Sequence, residues 1–316
     1  MNHEYAWIGI ISFPLTFVKS NHCHQKSASF DRFRRSHHTF RLLSGCSSDK
    51  PRSRISSVVI MPTLNESQGN LIPDHPTDVD FQQCANALRS GKKGDMQRAL
   101  VLVRNMNASD SIALLEIALE SGNEFIRATA TVMLGQVPCD SLSKEHQTCL
   151  NRLITLVQND SDYGVRSAAA AGLGYLGDTS ALETLVRIYH EDVEWQVQFS
   201  ALVALGDLRD SRAIPTLVSA LSSSNAILVQ GAVGALGDIA DKSVLETLLT
   251  MSERIPEDVL TTQRLAVALG AISMELEGEV RLRSIAALKR LFQHPHQLVK
   301  EAAFEALLSL GEMDIL

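Results

Sequence analysis

The strongest constraint on this chain is internal: its second half is written in a unit of 31 or 32 residues. The segment GVRSAAAAGLGYLGDTSALETLV (164–186) aligns without a gap on QVQFSALVALGDLRDSRAIPTLV (196–218), and LVQGAVGALGDIADKSVLETLL (228–249) follows one period later. Weaker copies lie on either side, FIRATATVMLGQV (125–137) and TTQRLAVALGAIS (261–273), and a half-copy, LVKEAAFEALLSLGE, occupies 298–312. A chain that repeats at this length stacks supersecondary units, each burying its apolar face against the next.

Within one unit Val165, Ala168, Ala169, Leu173 and Leu176 recur at helical spacing, which predicts a helix A with one face turned toward its neighbours. A polar turn reading GD, RD or AD follows. Then come A-L-x-x-L-V, I-P-x-L-V or V-L-x-x-L-L as helix B, with Pro215 in its first turn, where a missing N–H costs little. Aromatic residues make up only 5% of the chain, so the core is built from Leu, Val, Ile and Ala, as closely stacked helices require. The expectation is an all-α fold, a right-handed α-solenoid of about five helix pairs spanning 78–316. Its first helices are predicted near 80–90, 95–105 and 110–121.

Residues 172–177, GLGYLG, spell the G-x-G-x-x-G of a dinucleotide-binding loop. That loop needs a strand before its first glycine and a helix beginning at its last. Here helix A has already begun at Val165, and the neighbouring units read VALGDLR and GALGDIA with one glycine each. The glycines are read as sites of close helix approach and of a left-handed helix end, and no cofactor is assigned.

The unit VR-x-x-A-A-x-x-L-G-x-L-G-D-x-x-A-L-x-x-L, best preserved at 165–185, resembles the short HEAT-like repeats named after phycobilisome lyases. The resemblance covers about 120–316 and implies the solenoid fold. Those lyases attach linear tetrapyrroles to cysteines of light-harvesting proteins, so the resemblance also raises tetrapyrrole handling, by a chaperone or a lyase-like protein. Only Cys139, Cys149, His146 and His190 are candidates for such chemistry, and none of them recurs from unit to unit. Deoxyhypusine hydroxylase is built from similar repeats and holds iron through His-Glu pairs after the Val-Arg step. Here those positions read Ala128-Thr129, Ser167-Ala168, Phe199-Ser200, Gln230-Gly231 and Gln263-Arg264, with Glu301-Ala302 in the half-copy, a set without the His-Glu pairs such an iron site needs. No metal and no catalytic residue is assigned. The expected function is a non-enzymatic scaffold or assembly factor with a protein partner, and tetrapyrrole handling is the competing reading.

Charge divides the chain. Residues 1–60 carry 9 Lys+Arg against 3 acids, and the remainder 20 against 33, so a basic leader precedes an acidic body. An acidic body argues against nucleic acid, which needs a basic stripe to displace counterions. The most basic stretch, RLRSIAALKR (281–290), finds no continuation in neighbouring units and is read as one solvated helix face. The leader is rich in Ser and Arg, as transit peptides are. WIGIISFPLTFV (7–18) resembles the apolar part of a secretory signal, but no Lys or Arg precedes it. Residues 1–60 are therefore expected to be a disordered transit peptide, followed by a linker at 61–77. The choice of the chloroplast stroma over the mitochondrion rests on the resemblance to a cyanobacterial family. No run of residues is long and apolar enough to span a membrane. The five cysteines are too scattered for a disulfide framework and are read as free thiols, with a regulatory bridge between Cys139 and Cys149, which flank the segment DSLSKEHQT, as the alternative.

A partner surface is expected on helix B, taken to line the concave face of the stack. Equivalent positions hold Thr184, Thr216 and Thr247 in a row, beside Glu246 and then Arg187 and Ser219. Tyr163 and Trp195 stand one unit apart at the starts of successive A helices. They are candidates for anchoring an interface or for covering the seam between repeats.

Overall fold

A computed structural model describes residues 81–312. The predicted transit peptide and linker lie outside the described residues. Three helices come first: α1 (Phe81–Arg89), α2 (Lys93–Val103) and α3 (Ala108–Leu119). Five A/B pairs follow: α4 (Glu124–Gly135) with α5 (Lys144–Asn159), α6 (Tyr163–Leu176) with α7 (Leu182–Glu191), α8 (Trp195–Asp207) with α9 (Ile214–Ala220), α10 (Ala226–Ile239) with α11 (Leu245–Glu253), and α12 (Val259–Ser273) with α13 (Gly278–Phe292). The half-copy forms α14 (Gln297–Ser309). Every regular element among the described residues is helical, so the all-α solenoid expected from the repeat is the observed fold.

The repeat can now be read as a set of physical instructions. Four of the five paired A helices open on a polar side chain that accepts from a first-turn N–H: Asn123 from Ile126, Asp162 from Val165, Asn225 from Ile227 and Asp258 from Thr261. Glu194, at the start of α8, makes no such bond. In the GD, RD and AD turns, the first residue takes the left-handed conformation, with φ of 70° at Gly177, 51° at Arg209 and 55° at Ala240. The aspartate that follows caps the 3₁₀ turn leading into helix B: Asp178 accepts from Ser180 N–H, Asp210 from Arg212 and Asp241 from Ser243. Pro215 sits in the first turn of α9, as the sequence predicts.

Two layers result. In layer A, α4, α6, α8, α10, α12 and α14 pack side by side in sequence order. The small residues of the repeat make this possible. A Cβ on Gly174 would come within 3.0 Å of Ala204 Cα, one on Gly206 within 2.7 Å of Ala235 Cα, and one on Gly237 within 2.9 Å of Ala268 Cα. The glycine of each unit therefore lets backbone meet a small residue two positions earlier in the next unit's register. In layer B, by contrast, α9 hardly touches α7 or α11. Layer A is the tightly spaced side of the stack and layer B the splayed side.

Candidate functional site

The expected helix-B row is uneven. Thr216 is buried, Thr184 half-buried and Thr247 exposed, so the three hydroxyls do not form one continuous polar line. Arg187 and Ser219 are exposed on α7 and α9, with the Ser219 hydroxyl donating to the Thr216 carbonyl at 2.7 Å. Glu246 on α11 is exposed and already engaged. Both its carboxylate oxygens accept from Arg283 of α13, at 2.6 and 2.8 Å, and this pairing holds the carboxyl below its ordinary value. Tyr163 is exposed at the start of α6, whereas Trp195 at the same register of α8 is half-buried.

The same pairings explain the basic stretch on α13. Arg283 meets Glu246, Lys289 meets Glu312 at 3.1 Å, and Arg281 donates to the Leu310 carbonyl at 2.7 Å. Three of the four charges of the stretch are thus engaged by neighbouring elements.

Of the four residues singled out for chemistry, the fold brings three together. Cys139 lies in the loop between α4 and α5, while His146 and Cys149 stand one turn apart on the buried face of α5. Cys139 Sγ is 3.9 Å from His146 Nδ1 and 3.4 Å from the Val137 carbonyl. His146 Nε2 is 2.9 Å from Asp178 Oδ2, in the turn that closes the next A helix. Burial pushes the Cys139 thiol up and, with the neighbouring Cys139, pushes Cys149 up to about 12. Burial opposes ionisation of Asp178 too, but the Ser180 N–H and hydroxyl and the His146 ring outweigh it and hold the carboxyl below its ordinary value. His190 is far from this group in character: it is exposed at the end of α7, its ring edge-on to Tyr189 at 4.9 Å. Asp178 was legible in the sequence only as a turn residue; its second partner, 32 positions away, could have been suspected from the repeat length.

Sequence reasoning also missed an arginine ladder. Arg127 of α4 reaches Asp160 before α6, and Arg166 of α6 reaches Asp192 before α8 with two hydrogen bonds of 2.7 and 3.1 Å. Each arginine follows the first buried residue of helix A, so it spans the seam to the next unit. The following unit has Gln198 there, which donates to the Asp192 carbonyl at 2.8 Å and ends the ladder.

A family model for HEAT repeats matches residues 111–206 and 185–270, together just over half of the chain. The chain belongs to the HEAT-repeat family. No curated protein matches it in sequence. Among solved structures it is similar to a chain of the Kap95p–RanGDP complex, at 14% identity and a TM-score of 0.56, over 73% of this chain and 36% of that one. It is also similar to YibA of Escherichia coli, at 15% identity and a TM-score of 0.53, over 75% of this chain and 84% of that one. The complex of CpcE and CpcF of phycocyanin lyase from Nostoc gives 19% identity over 80% of this chain and 100% of that one, with a TM-score of 0.47. The first two likenesses describe the solenoid fold. Among the described residues, no helix is long and apolar enough to cross a membrane.

Proposed function

We propose that this HEAT-repeat protein is a non-enzymatic scaffold that binds a protein partner along its helix-B face. The observation that carries the reading is the difference between the two layers. The small-residue stripe of layer A is consumed by packing between repeats, while the splayed B helices leave Arg187, Ser219, Thr247 and Thr250 exposed in successive units. An extended, sparsely charged surface of this kind suits a partner that runs across several repeats.

The protein acts in an organelle reached through its basic leader, the chloroplast stroma before the mitochondrion. Residues 1–70 fused to a fluorescent protein test the address, and a diffuse cytosolic signal refutes it.

The binding test uses the full chain. A defined partner captured from the organelle is lost when Arg187, Ser219 and Thr247 are changed together to residues of opposite or added charge, and is retained when exposed helix-A residues such as Tyr175 and Val267 are changed. Thr216 is left intact because it is buried. Visible absorbance on mixing the protein with a bilin or porphyrin tests the competing reading, and a stoichiometric pigment complex that transfers to an acceptor cysteine overturns the scaffold.

A further inference from the structure

The group around α5 has a use that the scaffold reading does not absorb. Cys139 is half-buried in a loop where the adjacent Pro138, Asp140, Ser141 and Leu142 are exposed. Cys149 is fully buried on α5, one turn after His146, and the two thiols are close enough to influence each other's ionisation. An imidazole stands beside the outer thiol. With its Nε2–H donated to Asp178, His146 turns the Nδ1 lone pair toward Cys139 Sγ. His146 is itself buried, at 5% exposure, so its orientation is set by packing and by the Asp178 bond.

We propose that Cys139 and Cys149 form a thiol–disulfide exchange site for low-molecular-weight disulfides of the glutathione class, with His146 as the base. Cys139 Sγ attacks one sulfur of the small disulfide while its proton passes to His146 Nδ1. The S–S bond of the reagent breaks, a mixed disulfide forms on Cys139, and the first small thiol leaves as thiolate and takes up that proton. Cys149 Sγ, deprotonated through the same imidazole, then attacks Cys139 Sγ. The mixed disulfide breaks, the Cys139–Cys149 bond forms, and the second small thiol leaves with the second proton. The dithiol loses two electrons and the small disulfide gains them.

The arrangement assigns the order of events. Cys139 is the residue solvent can reach, so it is attacked first; Cys149 is shielded and acts only within the protein. Burial pushes both thiols up, so thiolate is scarce at neutral pH and a base beside the outer sulfur speeds the attack.

The test uses the full chain treated with graded ratios of oxidised to reduced glutathione, then alkylation and peptide mapping, so that Cys23 and Cys46 are followed separately. The wild type is expected to yield a Cys139–Cys149 disulfide. Cys149→Ser is expected to trap a stable glutathione adduct on Cys139, and Cys139→Ser to leave Cys149 unmodified while the chain is folded. Cys84, which is 1% exposed on α1, reports unfolding in every sample. His146→Gln is expected to slow adduct formation on Cys139 roughly 100-fold relative to the wild type, with Cys84 still protected. A stable adduct on wild-type Cys139 that never passes to Cys149 overturns the proposal. So does modification of Cys139 only at the rate at which Cys84 becomes reactive. An unchanged rate in His146→Gln removes His146 as the base.

Discussion

A Cβ placed on Gly135 would stand 2.5 Å from both the Cα and the carbonyl oxygen of Gly172. The two glycines belong to consecutive A helices, and each subsequent pair repeats the arrangement with alanine in place of the second glycine. Gly174 meets Ala204, Gly206 meets Ala235, Gly237 meets Ala268 and Gly270 meets Ala306. The seam accounts for the glycines of GLGYLG one by one. Gly172 receives Gly135, Gly174 receives Ala204, and Gly177 ends the helix at positive φ. The α14 half-copy holds Leu308 at the position of the recurring glycine, and Leu308 is exposed.

The seam predicts a contrast between two identical substitutions. Gly206→Ala forces a methyl into the Ala235 backbone, which neither helix can avoid without opening the stack, and is expected to cost about 2 kcal/mol or more. Gly122→Ala, in the turn before α4, meets nothing within 4 Å and is expected to be neutral or to stabilise by about 0.5 kcal/mol. Urea unfolding of the two variants measures both, and equal midpoints would show that the close approach carries no weight.

The arginine ladder predicts a second contrast. Arg166 and Asp192 are both largely buried and joined by two hydrogen bonds, so removing one partner strands the other charge. Arg166→Met is expected to cost about 3 kcal/mol, and the double change with Asp192→Leu to recover most of that loss. A denaturant double-mutant cycle reads the coupling, and strictly additive costs would dismiss it. Glu246→Gln serves as the control: it breaks an exposed pair with Arg283 and is expected to leave the unfolding midpoint where it is.

Asp192 also predicts the acid limb of stability. Burial opposes its ionisation, but the Arg166 hydrogen bonds and the Glu194 N–H outweigh that and depress its folded value. A depressed carboxylate contributes stability that is present above its unfolded value near 4 and is lost as pH falls through the folded value. Asp178 is depressed as well and acts in the same direction. Unfolding free energy is therefore expected to fall steeply below about pH 4 in the wild type and less steeply in the Arg166→Met, Asp192→Leu double variant. Identical acid limbs in the two proteins would contradict this.

Period and polarity made the helices legible. The first three lie within a few residues of their predicted places, and the five pairs and half-copy follow the alignment because each unit carries its own caps and turn signals. The pairing within the layer-A seam was not legible from amphipathic pattern alone, because the glycine of one unit meets the small residue two positions earlier in the next unit's register. The Thr184, Thr216, Thr247 row was legible as a register but not as a surface: α9 is shorter than α7 and α11, and Thr216 turns into the core while Thr247 faces out. The Cys139–His146–Asp178 group escaped because its members come from a loop, a B helix and the turn of the next unit, with no repeating partner to mark them.

Asp207 predicts a pH effect of opposite sign. The residue ends α8 at the surface, yet its carboxyl is tucked against the preceding A helix, α6, with Oδ2 2.9 Å from where a Cβ on Gly174 would lie. Burial and the nearby Asp238 raise its value to about 6, with Arg209 opposing. A carboxyl raised in the folded state favours the protonated form. Its contribution to stability is therefore full below the unfolded value near 4 and is lost as pH rises through about 6. Replacing the carboxylate by a neutral amide of the same shape removes the penalty where Asp207 is ionised and little where it is protonated. Asp207→Asn is thus expected to stabilise the fold at pH 7.5 by on the order of 1 kcal/mol, a figure kept small because solvent reaches part of the side chain. At pH 4 the two proteins are expected to unfold at nearly the same denaturant concentration. A gain that is the same at both pH values would trace to the amide's own contacts instead, and a loss at pH 7.5 would show that the ionised carboxylate is held by Arg209 more strongly than Asp238 repels it.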